Sequence, residues 1–409
     1  MRKTLFSAIA PLLSIAILML GGGFFTTFVS LRLYMDHHDA TVIGVVQAAY
    51  YAGFMLGALK IESLIKRIRH IRAYAFFACL CTAVVLFQGV YIHPVAWTIE
   101  RFINGLCIAS LYVVIESWLL IIAPEGAKGK LLALYMIALY AAQAVSQFFV
   151  DFLDIKTLTP FLVTGILGSL SMMPVTFTRT QVPDLPETQV KGFFHVFRRS
   201  PFGCLGCTIS GLILSAIYSF LPTYAEQMHI SVSIAMSLTI AGGFFLQWPL
   251  GYLSDVFDRR KVLLLVSVLT IAPCIGVVFF KSMAAVVYAM VFLLGGLTFT
   301  LYPLSITHVS DRFQSNDMTS ITAVLLFAYS IGSVAGPLIA PFVIDAAPHG
   351  LFIYIGMMAV ALTAMGCFSI IRFKPVPKTE QGDFVPMSGQ SPLGPELDPR
   401  GPDGERKKD

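Results

Sequence analysis

The stretch Gly251-Tyr-Leu-Ser-Asp255-Val-Phe-Asp258-Arg259-Arg260-Lys261 shows how this chain is built. It is short, polar and basic, and it lies between two apolar runs, residues 232–253 and 262–280. Each run has the length of about 20 apolar residues that a helix needs to cross a bilayer. The sequence therefore predicts two membrane-spanning helices joined by a tight, charged loop.

Apolar runs of similar length recur on both sides of this loop, and a polar, proline-containing break at residues 179–201 divides them into six and six. The runs are residues 7–33, 42–65, 73–92, 95–122, 131–150, 158–177, 203–225, 232–253, 262–280, 283–306, 321–344 and 351–373. This pattern predicts an all-α polytopic membrane protein with about a dozen transmembrane helices in two six-helix bundles.

The domain boundaries follow from the same pattern. Residues 1–178 are the predicted N-terminal bundle, 179–201 a cytoplasmic linker and 202–373 the C-terminal bundle. Residues 374–409 are rich in proline and charge and poor in bulky apolar side chains, so we expect a disordered cytoplasmic tail.

Composition agrees with a membrane protein. Of 409 residues, 56% are hydrophobic and only 12% charged, and the mean hydropathy is +0.78. A soluble protein usually carries about twice that charged fraction. These values argue against a soluble enzyme, a nucleic-acid-binding protein and a disulfide-stapled secreted domain. The net charge of +5 needs no nucleic acid to explain it.

The basic residues predict the orientation. One alternate set of loops and span ends holds 20 Lys and Arg residues, the other holds 4, and the remaining 4 of the 28 lie near the C-terminus. Basic residues favour the cytoplasmic side. We therefore expect both termini in the cytoplasm and, for a bacterial chain, a multi-pass protein of the inner (cytoplasmic) membrane. The first apolar run is too long for a signal peptide and is predicted to be retained.

An internal repeat supports two similar halves. The segment that begins at Gly57 and continues through Ile61 and Glu62 to Arg67 precedes the Gly251 loop by 194 residues, and its glycine and basic end align with that loop. Such repeats are typical of transporters that rock two bundles about a central site.

At these residues the chain resembles the major facilitator superfamily. The pattern Gly251-x-x-x-Asp255-x-x-Asp258-Arg259-Arg260 is similar to the superfamily's cytoplasmic loop signature, and Arg101-x-x-x-Gly105 is similar to its fourth-span motif. Residues 68–72, 101–102, 114–118 and 132–136 resemble the YcaD-type branch more narrowly. The resemblance implies a gating role for Gly57, Glu62, Gly251, Asp255, Asp258, Arg259 and Arg260.

Two positions depart from the superfamily pattern. Ile61 stands where the first loop should have Asp. The Gly-x-x-x-Gly-Pro motif that marks the fifth span of drug/proton antiporters is missing from residues 131–150, and a similar one ends at Pro337 in the eleventh run. The second departure weakens a drug-efflux interpretation.

Two ionisable residues of the fourth run are the leading candidates for chemistry, because charges in hydrocarbon are costly and usually functional. Glu116 could carry a proton, and Arg101 could pair with an anionic group or modulate that protonation. Alternatively, Glu116 only accepts hydrogen bonds from neighbouring helices and Arg101 reaches lipid headgroups. At 1.5 Å per residue they lie about 22 Å apart along the helix, so each needs its own partners.

Polar and aromatic side chains on probable cavity-facing positions form a second group of substrate candidates, with hydrogen bonding between helices as the alternative role. In the first half they are Tyr112, Tyr140, Gln143, Gln147, Gln47 and Tyr51. In the second half they are Tyr218, Gln247, Tyr302 and His308. We expect His308 to bond Asp311, and proton sensing is the alternative because histidine titrates near neutral pH.

No metal site, cofactor or enzyme activity is predicted. The seven cysteines lie in apolar runs without accompanying histidines, and no glycine-rich phosphate loop is present. The sequence favours a monomeric, gradient-driven transporter of a small organic solute, coupled to protons or another ion, in contact with membrane lipid and not with nucleic acid. The alternatives are a drug or metabolite efflux antiporter and a membrane sensor that moves nothing.

Overall fold

The computed structural model describes residues 2–122, 128–176, 193–313, 318–372, 374–378, 381–382, 384–389 and 391. These residues form helices joined by short connections. The helices are α1 (Arg2–Gly22), α2 (Phe25–Met35), α3 (Ala40–Ile68), α4 (His70–Val90), α5 (Pro94–Ile122), α6 (Lys128–Ser146), α7 (Phe149–Phe152), α8 (Thr159–Leu170), α9 (Met172–Thr176), α10 (Phe193–Arg199), α11 (Pro201–Gln227), α12 (Val232–Val256), α13 (Arg259–Phe279), α14 (Ala284–Ser310), α15 (Met318–Ile344) and α16 (Gly350–Arg372).

Twelve helical segments in the described ranges are long and apolar enough to cross a membrane. Three of them combine two consecutive helices: Ala8–Met35, Lys128–Phe152 and Thr159–Thr176. The prediction of an all-α protein with 12 transmembrane helices is confirmed.

The charged loop ends α12 and starts α13 as its sequence suggests. Asp258 caps α13, where its side chain accepts a hydrogen bond from the backbone N–H of Arg260 at 3.0 Å. Acidic caps satisfy donors that the first helical turn leaves free. The loop is therefore only a few residues long, and its basic residues belong to the first turn of α13.

The described residues form two compact units, one of residues 2–176 with Ser391 and one of residues 193–389. Residues 177–192, which include residues 179–192 of the predicted linker, lie outside the described residues. Residues 193–199 of that linker form α10.

In the N-terminal unit, the largest helix contact is that of α3 with α5. A β-carbon at Gly53 would collide with the Phe102 carbonyl, and one at Gly105 with the Tyr50 carbonyl. Small residues allow such close backbone approach in membrane bundles. This contact places the polar residues of α3 against those of α5.

The C-terminal unit repeats this pairing. Its α12 packs on α14, where a β-carbon at Gly242 would meet the Phe292 carbonyl and one at Gly295 the Thr239 carbonyl. Since α3 and α5 are the second and fourth spans and α12 and α14 the eighth and tenth, the same pair of spans is in close contact in each unit. This agrees with the internal repeat in the sequence.

Part of the predicted disordered tail is packed. Val385 is 7% exposed, Met387 0% and Ser388 5%. The expectation of a solvated segment does not hold for these residues. Their composition is too polar to form a core alone, but they lie against apolar surface that the helices already provide.

Candidate functional site

Arg101 lies on α5 in the N-terminal unit and is 1% exposed. Its guanidinium donates to Gln47 Oε1 at 2.9 Å, to Thr26 Oγ1 at 3.1 Å and to Asn104 Oδ1 at 3.2 Å. The ring centroid of Tyr50 lies 4.2 Å from Arg101 Cζ, a cation–π contact. Every one of these partners is neutral.

The charge of Arg101 has no counter-ion in the described chain. No carboxylate there lies within ion-pair distance, and Nε, which is buried, has no hydrogen-bond partner. A buried charge without an opposite charge is costly in a medium of low dielectric. The neutral acceptors and the Tyr50 ring hold the guanidinium in place.

Glu116 lies on the same helix and is 0% exposed. Its Oε1 accepts a hydrogen bond of 2.6 Å from the Tyr135 hydroxyl of α6 and another of 2.6 Å from Ser391 Oγ. Charge-assisted hydrogen bonds of this length are among the stronger ones in proteins. The structure therefore places the carboxylate inside the unit and holds it by hydroxyl groups.

Some of the polar and aromatic substrate candidates form hydrogen bonds between helices. Gln147 Nε2 donates to the Gly23 carbonyl at 2.9 Å, and Gln147 Oε1 accepts from Thr27 at 2.8 Å. Gln147 lies between α6 and α7, so these bonds join the fifth span to the first. Gln47 binds Arg101 and also donates to Ser30 Oγ at 2.7 Å. The alternative role of polar contacts between helices applies to Gln147, whereas Gln47 belongs to the Arg101 site.

The other candidates of the first half are buried. The Tyr112 hydroxyl lies 2.9 Å from Met19 Sδ, and the Tyr51 ring packs against Tyr50 at 5.3 Å. Tyr140 and Gln143 are 3% and 4% exposed on α6, and Gln143 Oε1 lacks a partner in the described chain. The predicted stripe from Tyr140 to Gln147 thus separates into one residue that joins helices and two that are buried one turn apart.

Glu100 is a residue to which the sequence assigned no role. It precedes Arg101 on α5 and is 5% exposed, and neither carboxylate oxygen has a hydrogen-bond partner among the described residues. Glu100 lies toward the end of its predicted span, where a charged side chain can simply contact lipid headgroups, so the sequence provided no reason to assign it a role. Burial and missing partners make it a second candidate for protonation.

The candidates of the C-terminal unit are also buried. The ring of Tyr218 packs on Phe299 at 6.1 Å and that of Tyr302 on Tyr329 at 4.7 Å. Gln247 Nε2 lies 3.4 Å from the Phe299 carbonyl. These contacts hold α11, α12, α14 and α15 together.

His308 lies at the cytoplasmic end predicted for α14, with its ring 5.9 Å from that of Phe202. The expected bond to Asp311 is wrong. The Asp311 carboxylate instead binds Arg259, whose Nη1 lies 2.8 Å from Oδ2 and 3.0 Å from Oδ1. Arg259 Nη1 donates to both Asp311 oxygens while Nη2 donates to Asp255, so the guanidinium bridges the two carboxylates.

The gating-loop residues of the C-terminal unit form an ion-pair network. Arg259 pairs with Asp255 at 2.9 Å and with Asp311 at 2.8 Å. Arg260 pairs with Asp258 at 2.7 Å. Burial would raise the pKa of Asp258, but the hydrogen bonds and charge of Arg260 outweigh it and lower that pKa. The loop thus ties the end of α12 to the start of α13 and the end of α14.

The equivalent loop of the N-terminal unit differs. A β-carbon at Gly57 would press on the Leu106 carbonyl of α5, and Ile61 is 7% exposed. The side chain of Glu62 lies outside the described part of the structure. Gly57 thus has a packing role. The position equivalent to Asp255 in this unit holds Ile61, a buried apolar side chain.

The described residues contain no group of three or more His, Cys, Asp or Glu side chains placed to hold a metal ion. Cys204 and Cys207 are both buried. A buried free cysteine behaves as a small apolar side chain.

Comparison with known proteins identifies the family. The sequence profile of the Major Facilitator Superfamily matches residues 12–337 and 231–395. The chain belongs to the Major Facilitator Superfamily. It is 30% identical over 334 residues to the uncharacterized MFS-type transporter YcaD of Escherichia coli K12, which covers 80% of this chain and 84% of the relative. The YcaD relative of Escherichia coli O6:K15:H31 matches to the same extent.

Solved structures show the same fold. A bacterial homologue of the human lysosomal transporter Spinster, inward-facing and occupied, superposes with a TM-score of 0.74 at 14% identity, covering 92% of this chain and 98% of that one. The nucleoside transporter NupG gives 0.70 at 13% identity, covering 91% and 100%. These matches show the fold. Membership of the superfamily, together with the 12 apolar spans of the described residues, supports a multi-pass membrane transport protein.

Proposed function

We propose that this superfamily member is a proton-coupled secondary transporter of a small polar organic solute. It works by alternating access in a bacterial inner membrane, with both termini in the cytoplasm. Membership of the superfamily supports transport in general. Proton coupling and the nature of the solute rest on the buried groups of α5.

Glu116 carries the proposal. A carboxylate that is 0% exposed on a membrane helix is expensive to keep charged, and such residues usually take part in ion or proton movement. The Tyr135 hydroxyl donates a hydrogen bond of 2.6 Å to Oε1 and orients the group. We propose that Glu116 binds and releases one proton in each transport cycle.

Arg101 supplies the second part of the proposal. Its partners in the described chain are neutral and its Nε is free, so a negatively charged group on the solute would complete its coordination. Arg101 and Glu116 are about 22 Å apart along the helix axis. They therefore act at separate points.

A two-stage experiment tests this function. Detergent-purified protein is screened by thermal shift against paired panels of carboxylates, phosphates and their neutral amide or hydroxyl analogues, because a ligand that binds the folded state raises its melting temperature. Each hit is then added to proteoliposomes that contain a pH-sensitive dye. We expect solute-driven proton movement in wild-type protein and none in Glu116→Gln, which still binds the solute.

Glu226→Gln is the matched control, because it makes the same change at the end of α11 and should leave proton movement intact. Loss of the signal in Glu100→Gln but not in Glu116→Gln would assign coupling to Glu100. Hits that bind without moving solute or protons would favour the sensor interpretation.

A further inference from the structure

Residues after the last span occupy a defined surface of the C-terminal unit. Residues 381–382 and 384–389, here called the C-terminal segment, are not helical. Met387 is 0% exposed and Ser388 5%, although the segment follows the exposed residues Pro377 and Lys378. Burial of this degree in a polar, proline-containing stretch requires specific contacts.

The polar contacts involve the gating loop. The backbone N–H of Phe384 donates to Asp255 Oδ1 at 2.9 Å, and that of Gly382 donates to Asp311 Oδ1 at 3.3 Å. The Gly382 carbonyl accepts from Arg259 Nη2. The segment thus offers backbone donors to both carboxylates and a backbone acceptor to the arginine that joins them.

The apolar contacts depend on two glycines. The Phe384 ring lies directly on Gly251, and a β-carbon added there would collide with it. Gly389 lies on the Tyr329 ring in the same manner. Between these points the Met387 carbonyl is 3.4 Å from Gln247 Nε2. Gly251, the first residue of the loop signature, therefore also provides the space in which the Phe384 ring packs.

We propose that the C-terminal segment is a cis-acting ligand of residues 251–261, which comprise the end of α12, the short loop and the start of α13, and holds them in their ion-paired conformation. The Asp255, Arg259 and Asp311 network connects three helix ends, and the segment adds a hydrogen bond to each member. Any movement of α12 against α13 or α14 must break these bonds. Switching transitions commonly exchange such ion-pair contacts. The gating consequence rests on the proposed transport function, whereas binding of the segment does not.

A cysteine-labelling experiment tests the proposal without a substrate. The exposed Cys79 and Cys367 are replaced by serine, and M387C is the reporter, with P377C at an exposed position as reference. Fluorescein maleimide should label M387C much more slowly than P377C. Adding Phe384→Pro removes the N–H that binds Asp255 and should speed M387C labelling about tenfold, as expected for loss of a hydrogen bond to a charged group.

Hydrogen–deuterium exchange of residues 251–261 gives the second measurement. Exchange should rise in Phe384→Pro and in Phe384→Ala, which removes the ring from Gly251. Val376→Ala is the matched control, since it shortens a side chain before the segment. Equal labelling of M387C and P377C, or unchanged loop exchange in both Phe384 variants, would overturn the proposal. Because neither measurement needs transport, a failure of the proposed function is recognised separately by absent proton movement in wild-type protein.

Discussion

The two bundles share a pattern of helix pairing and differ in where their charges lie. In the N-terminal unit, α5 buries Glu100, Arg101 and Glu116 along its length. Its counterpart α14 in the C-terminal unit contains no Asp, Glu, Lys or Arg between Ala284 and Ser310. The C-terminal unit instead concentrates its charge in the ion pairs of the Asp255 loop.

We propose that this difference reflects different roles of the two units. Buried charges are costly in a membrane bundle and persist where they have a task, whereas ion pairs at helix ends restrain movement of those ends. On the proposed function, the N-terminal unit would supply the groups that bind protons and solute, and the C-terminal unit would supply the ion pairs of the gating loop. Substitutions that exchange these properties test the comparison.

The largest expected effect is at Arg101. Arg101→Gln should weaken binding of anionic hits from the thermal-shift screen about hundredfold, because removing one member of a buried charge pair costs about 2–5 kcal/mol. Arg101→Lys should restore part of the affinity, since it keeps the charge and loses the planar fork. Titration calorimetry measures both. The affinity for neutral analogues should not change. If Arg101→Gln weakened the binding of neutral analogues as much as that of anions, the role of Arg101 would be structural only.

The next effect compares the two loops. Ile61→Asp restores the acidic residue of the superfamily pattern but places it in a site that is 7% exposed, so it should destabilise the protein by about 2–4 kcal/mol. Asp255→Ile should cost less, because the Asp255 side chain is 29% exposed and Arg259 keeps Asp311. Melting temperatures in detergent rank the two variants. A stabilising Ile61→Asp would mean that the first loop is also an ion-paired gate.

A smaller effect is expected from release of the C-terminal segment. If the segment restrains the gate, Phe384→Pro should increase the initial rate of solute-driven proton movement several-fold without changing solute affinity. Stopped-flow measurement of the dye in proteoliposomes provides the rate, with Val376→Ala as control. An unchanged rate together with faster M387C labelling would show a segment that binds the loop without limiting transport.

The smallest effect concerns the α13 cap. Asp258→Ala should lower stability by about 1 kcal/mol, the usual cost of losing an N-cap. The pKa of Asp258 is lowered in the folded protein, so its contribution is complete above the ordinary aspartate pKa and is lost as the pH falls through the lowered value. Melting temperatures of both proteins should therefore differ at neutral pH and converge in acid. A difference that persists in acid would argue for loss of packing instead.

Much of the architecture could be predicted from the sequence. The 12 spans were identified because a stretch of about 20 apolar residues is a local property. No cap was predicted at Asp258, although this residue lies directly before the basic turn of α13 and its cap depends only on neighbours in the chain. Family membership followed from the loop signature and the Arg101 motif. Glu116 and Arg101 stood out because charges are rare in such spans.

The sequence alone determined which segments cross the membrane, where charges interrupt them and how the repeat is arranged. Only the tertiary structure decided that Tyr135 binds Glu116, that Gln147 joins helices, that Asp311 binds Arg259 and that Met387 is buried. These contacts join residues distant in the chain. They depend on how far each helix is rotated about its axis, and that rotation is fixed by close packing of many side chains and by glycines such as Gly53 and Gly105.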